Sequence, residues 1–229
     1  MRIEFSSEGG AARQRVLRKM IEYVVSANID DRILKRAANL LRNGGLVAFP
    51  TDTSWSVGCS IASRDGIIKL KHLVGKGADA PLTVICSALQ QVSELCELDT
   101  GSFRSMKKLV PGPYVFILPS TNRAAKDFDL RRGELGVRIP ENPVPCAVVD
   151  ALGLPLLSVT AKRTLLGMRA EDAEFPEELL FSGGWELEDV QGIDLVLDPG
   201  EEQERRVSTV LDMRNGQIEV VRRGAGEYP

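Results

Sequence analysis

The chain has 229 residues, of which 43% are apolar and 27% charged; that is enough apolar material for the core of one domain, and no stretch is polar enough to resemble an intrinsically disordered chain. Its 29 lysines and arginines nearly balance 32 aspartates and glutamates, for a net charge of −3, so no bulk field draws it to nucleic acid or an anionic membrane and any anion site must be local. No run approaches the roughly 18 apolar residues of a membrane span, no signal-peptide pattern opens the chain, and Glu4, Glu8 and Glu22 argue against a transit peptide, which predicts a cytoplasmic protein with no membrane partner.

Apolar residues at Ile33, Leu34, Ala37, Leu40 and Leu41 predict a helix over 31–43, with Asp30 or Asp31 as N-cap and Gly44 past its end. Gly45 then opens the short apolar run Leu46 to Phe49, which stops at Pro50 and reads as a buried strand. Similar runs at 82–86, 114–118, 135–139, 156–159, 193–197, 208–211 and 218–221 predict further strands of one sheet. Between them lie helical patterns: Ile67, Leu70 and Val74; Leu89, Val92 and Leu95; Phe103, Met106 and Leu109. Asn142 followed by Pro143 opens another helix, which carries Val144, Ala147, Val148 and Ala151 on one face and ends at Gly153. The alternation predicts an α/β fold, a sheet covered by helices and mixed in direction because the last strands are too close for crossover helices. Segment 165–192, acidic and interrupted by glycines, reads as a surface insertion with at most one short helix near Pro176.

Phosphate loops of the GxxxxGK[ST] kind, GxGxxG, GxSxG and HExxH are all absent. With no CxxC pair among Cys59, Cys86, Cys96 and Cys146 and a single histidine, His72, the thiols read as reduced and structural, and no protein metal site is expected. Chemistry-bearing residues gather instead at strand ends. Thr51, Asp52, Thr53 and Ser54 follow the first strand, where open sheets usually hold ligands, although a self-bonded turn uses the same residue types. Lys71, His72 and Lys76 cluster at a helix end leading through a glycine turn to Thr83; the helix dipole alone also favours cations there. Arg138 lies inside the apolar run of 136–140, so its guanidinium needs either an internal carboxylate or an anionic ligand. Thr160 and Lys162 follow a later strand in the same manner.

Taken in order, the segments GGLVAFPTDTSWSVGC, KLKHLVGKGADAPLTV, LVPGPYVFIL, GVRIPENP, PLLSVTAKRT, RRVSTVLD and VVRRGAG resemble the YrdC/YciO superfamily from about Met20 to the end, with residues 1–19 as an extension before a single domain over 20–229. The resemblance implies a twisted, mixed open sheet with a large concave, electropositive surface. It also implies condensation of L-threonine, bicarbonate and ATP, with Mg²⁺, into threonylcarbamoyl-AMP and pyrophosphate for the t6A modification of tRNA. The alternative it carries is a non-catalytic nucleotide- or double-stranded-RNA-binding module of the YciO type. Position by position it matches Thr53, Lys71, Arg138, Ser208 and Arg222; with these, catalytic roles are expected of Lys71, Thr53 and Arg138, phosphate or nucleotide binding of Lys76, Thr160, Lys162, Ser208 and Arg222, and substrate binding of Thr51, Asp52 and Thr83. Leu73 stands where the pattern has arginine and Lys162 where it has asparagine, which resembles the YciO branch.

Overall fold

The structure, a computed structural model, describes residues 20–75, 82–127 and 133–229; the expected extension over 1–19 and Lys76 lie outside them. Ten strands form one mixed sheet. In chain order these are β1 (Met20–Tyr23), β2 (Val47–Pro50), β3 (Trp55–Ser60), β4 (Thr83–Ile85), β5 (Tyr114–Pro119), β6 (Glu134–Arg138), β7 (Leu156–Thr160), β8 (Leu195–Asp198), β9 (Thr209–Asp212) and β10 (Glu219–Arg222). Their spatial order is β1-β8-β2-β3-β7-β4-β6-β5-β9-β10. The pairs β1/β8, β8/β2, β4/β6 and β5/β9 are parallel and the others antiparallel. The helices are α1 (Asp31–Arg42), α2 (Arg64–Val74), α3 (Leu89–Leu95), α4 (Thr100–Leu109), α5 (Asn122–Asp127) and α6 (Pro143–Leu152).

Local chemistry sets the helix ends. Asp30 is the N-cap of α1 and accepts from the Arg32 amide at 2.8 Å, while Asn142 caps α6 through the Val144 amide at 3.0 Å. Past α6, Gly153 takes φ 76°, a left-handed conformation that only glycine adopts without strain, and its amide closes on the Val149 carbonyl.

Alternation along the strands divides the core in two. On one face Val47, Phe49, Ile85, Leu156, Leu195 and Leu197 pack under α1 and α6, which supply Ala37, Ala38, Leu41, Val144, Val148 and Val149. The opposite face carries Ala48, Trp55, Val57, Cys59, Val84, Phe116, Val137, Val159 and Val196, covered by α2 and α4 through Leu70 and Met106. Each expected strand and helix falls on an observed one. The sequence reading did not identify β1, α5 or β3 as elements. β3 alternates Trp55, Val57 and Cys59 with Ser56, Gly58 and Ser60 but is buried on both faces, so its second face carries small residues rather than the charged ones of a half-exposed strand.

Segment 165–192 lies at the surface over 165–178, where no residue is buried, but corrects the expectation of a surface insertion over 179–190. It forms four short 3₁₀ turns, Arg163–Leu166, Ala170–Asp172, Pro176–Leu179 and Gly184–Asp189, buries Leu180 completely, and places the fully buried Phe181, Leu187 and Val190 in the core that carries Trp55. Tight 3₁₀ turns have a period of three rather than 3.6, so these apolar positions follow no α-helical spacing. Phe181→Ala should therefore destabilise the protein by about 3–5 kcal/mol in urea unfolding, the cost of a large core cavity; a surface insertion would limit the change to about 0.5 kcal/mol.

Candidate functional site

The first turn is built from its own hydroxyl. Thr51 Oγ1 accepts the amides of Thr53 at 3.3 Å and Ser54 at 3.2 Å and donates to the Ser54 carbonyl at 2.7 Å, so this fully buried threonine shapes the loop between β2 and β3. The loop presents Asp52 and Thr53 toward Arg138. Nη1 of Arg138 donates to Thr53 Oγ1 at 3.1 Å and to Ser208 Oγ at 2.8 Å, and Nη2 donates to Asp52 Oδ1 at 2.5 Å. Of the two sequence readings of Arg138, the internal carboxylate partner is observed, in Asp52.

The Arg138 side chain is 6% exposed and that of Asp52 12%, so both charges have lost most of their water. Burial pulls the Arg138 pKa down from its ordinary value, and the facing Asp52 carboxylate offsets part of that pull. Arg222 adds a second guanidinium, held by the Ser208 carbonyl through Nε at 3.1 Å and Nη2 at 2.8 Å; its pKa also falls through burial. One donor and one acceptor in the pair are left over: Arg138 Nε and Asp52 Oδ2 are buried without a hydrogen-bond partner, a costly state that a polar ligand relieves.

The strand register shows how these groups meet. Arg138 is level with Ile85 and Leu156, at the start of β7, whereas the 51–54 turn lies at the other end, where Thr160 pairs with Ser56. Contact across that diagonal requires the sheet to coil, as accumulated strand twist makes it do. On the inner side of the coil, the face under α1 and α6 continues through Ser56, Gly58, Ser158, Thr83 and Gly136 to Val115 and Ile117, which are only partly buried while Tyr114, Phe116 and Leu118 on the other face are buried. Among the described residues no helix core covers this stretch. This floor is made of small and hydroxyl-bearing side chains, of which Ser56, Gly58 and Ser158 are buried and Thr83 and Gly136 partly exposed.

Six expected residues, Thr51, Asp52, Thr53, Arg138, Ser208 and Arg222, thus form one network. Thr83 is part of the floor and its carbonyl accepts from Ser158 Oγ at 3.0 Å. Thr160, at the end of β7, and Lys162, just beyond it, are exposed. Lys71 is exposed in the last turn of α2, a helix that packs on the opposite sheet face; it makes no contact with the Arg138 network among the described residues. Leu73 packs against the core beside Leu70, so its side chain serves packing where the superfamily pattern has a cation. Among the described residues no three His, Cys, Asp or Glu side chains are grouped to hold a metal, and no helix is long and apolar enough to cross a membrane. A recess of about 570 Å³ lies elsewhere, against Arg223, Gly226, Glu227 and Tyr228. The sequence reading passed over Ser56, Gly58 and Ser158; small residues at every second position from Ser54 to Ser60 were the signal for a strand with one small-residue face.

Because Asp52 neutralises a buried guanidinium, Asp52→Ala should cost about 3–5 kcal/mol of stability by leaving that charge uncompensated. The double variant Asp52→Ala/Arg138→Met should recover at least about 1 kcal/mol of the loss in a double-mutant cycle, and strict additivity would contradict the pairing.

Comparison with known proteins agrees with this architecture. The family model for Sua5, YciO and YrdC proteins, described as telomere recombination, matches residues 39–224. The uncharacterized protein YciO of Escherichia coli K12 is 28% identical over 208 residues, covering 90% of this chain and 95% of the relative. A threonylcarbamoyl-AMP synthase of Xanthomonas axonopodis is 30% identical over 131 residues, 56% of this chain and 70% of that enzyme. The crystal structure of E. coli YciO superposes with a TM-score of 0.77 at 28% identity, covering 91% of this chain and 97% of that one. P. abyssi Sua5 complexed with L-threonine shares the fold with a TM-score of 0.72 at 22% identity, over 90% of this chain and 58% of that one. The match to most of the chain, together with the single coiled sheet, establishes that this protein belongs to the Sua5/YciO/YrdC family.

Proposed function

We propose that the chain is a nucleotidyltransferase of the threonylcarbamoyl-AMP synthase type, acting on L-threonine, bicarbonate and ATP in the service of tRNA modification. The observation that carries this reading is the buried guanidinium of Arg138, fixed by Thr53, Ser208 and Asp52, with Nε lacking a hydrogen-bond partner among the described residues. A planar, desolvated cation of this kind suits a carboxylate, because each hydrogen bond from a charged donor strengthens as water is excluded. The L-threonine complex of Sua5 supports an amino acid as the occupant.

In this reaction the amino nitrogen bonds to the carbon of bicarbonate and water leaves; a carbamate oxygen then bonds to the α-phosphorus and the bond to the β-phosphate breaks, releasing pyrophosphate. Attacker and target are both anionic, so the protein's work is positioning and neutralising charge rather than covalent catalysis. Arg138, Thr53 and Ser208 hold the amino acid, Thr51 shapes the turn that presents Asp52 and Thr53, and Thr83 borders the floor. Lys71, Thr160, Lys162 and Arg222 are assigned to the nucleotide phosphates, as is Lys76, which lies outside the described residues. Mg²⁺ would be carried mainly by phosphate oxygens and water.

Leu73, apolar and packed against the core, favours a second reading in which the chain binds a nucleotide or RNA without turnover. Incubation with ATP, Mg²⁺, bicarbonate and L-threonine separates the two. Synthase activity predicts pyrophosphate together with the threonine-derived adenylate, whereas ATP binding with neither product supports the second. Lys71 is exposed, so Lys71→Ala should leave the melting temperature unchanged while lowering kcat/KM for ATP by about 100-fold, the scale of losing one charge-stabilising contact; undiminished turnover contradicts the role.

A further inference from the structure

We propose that Glu186, in the segment over 165–192, is a positioning residue that holds the Thr160–Lys162 wall of the site in place. The carboxylate is a junction. Its Oε1 accepts the Ser182 amide at 2.8 Å, the Ser182 hydroxyl at 2.9 Å and the Gly183 amide at 3.1 Å, and its Oε2 pairs with Arg163, whose guanidinium also lies 5.4 Å from the centre of the Phe181 ring. Arg163 directly follows Lys162, and Lys162 makes a β-bridge to Leu180.

The loop that Glu186 closes meets the chain at the start of β3 and beyond the ends of β7 and β8. The Ser182 carbonyl accepts from Gln203 N at 2.8 Å and from Trp55 Nε1 at 3.4 Å, and the Trp55 carbonyl accepts the Ala161 amide at 2.8 Å. Arg206 N, three residues beyond Gln203, donates to the Thr53 carbonyl at 3.1 Å. The exits of β2, β7 and β8 are therefore joined through residues 180–186. At Gly184 the segment presses so closely on buried Asp198 that a Cβ there would lie 2.4 Å from Asp198 Oδ2, which fixes the segment to the end of β8. Burial alone would raise the Glu186 pKa, but the bonds from Ser182 and Gly183 and the nearby Arg163 outweigh it and lower it, so the junction keeps its charge at neutral pH. Glu186 touches no proposed reacting atom; it acts through Arg163 and the strand end before it.

The role rests on the synthase reading for its effect on ATP, but not for its effect on the loops. Hydrogen exchange on the full chain, with steady-state kinetics alongside, tests it. Glu186→Ala should raise amide exchange at 160–163 and 180–186 by about tenfold while β5 and β6 keep their protection, and should raise the KM for ATP about tenfold with the KM for threonine unchanged. Glu186→Gln keeps an acceptor for Ser182 and Gly183 and should fall between that variant and the unsubstituted protein. Unchanged exchange at 160–163 in Glu186→Ala overturns the proposal, as does a parallel rise in both KM values, which would mark a purely structural residue. If the unsubstituted protein makes no pyrophosphate, the synthase reading fails and the exchange result still decides this one.

Discussion

Taking a guanidinium out of water is among the least favourable things a fold of this size does, and at Arg138 the surrounding loops are arranged to offset it. An isolated charge in an apolar run would cost several kcal/mol, so the chain brings a carboxylate from the β2–β3 turn and hydroxyls from that turn and from the residue before β9. These groups come from positions 52, 53 and 208, and only a strongly coiled sheet can bring them to position 138. The buried charge and the coil therefore require each other. The pairing is incomplete, with Nε and one carboxylate oxygen left without a partner among the described residues.

The coil has a second consequence. α1 and α6 cover one half of the inner face, and the stretch beyond them carries the small and hydroxyl-bearing Ser56, Gly58, Ser158, Thr83 and Gly136, of which only Thr83 and Gly136 are partly exposed. Gly58 has Phe49 at 3.1 Å from where a Cβ would sit, whereas the nearest atom to a Cβ at Gly136 is 3.4 Å away, so the floor is tight beside the helices and looser toward the open half.

Much of this was legible in the sequence. Helix caps at Asp30 and Asn142 and the apolar runs of eight strands were read from local chemistry, and Arg138 was marked by its place within an apolar run. The ordered motifs joined Thr53, Arg138, Ser208 and Arg222 into one site. Distances across the sheet were not legible, because which strand ends meet depends on twist summed over several strands and on no local pattern. Segment 165–192 was misread because acidic residues suggest solvent, whereas Glu186 turns inward to bind amides and Phe181 is buried beside it. Lys71 illustrates the reverse limit: a motif match gives a residue its candidate role, but the described contacts leave its ammonium exposed and apart from the Arg138 network.

The account depends on Arg138 being the group that receives an anionic substrate in the coiled hollow. A crystal structure of the protein with L-threonine and a non-hydrolysable ATP analogue tests that most directly. It should show the amino-acid carboxylate within about 3 Å of the Arg138 guanidinium and the phosphates on the Lys162 side of the floor. Threonine bound away from Arg138, with the Asp52 pairing undisturbed and the floor empty, would contradict it.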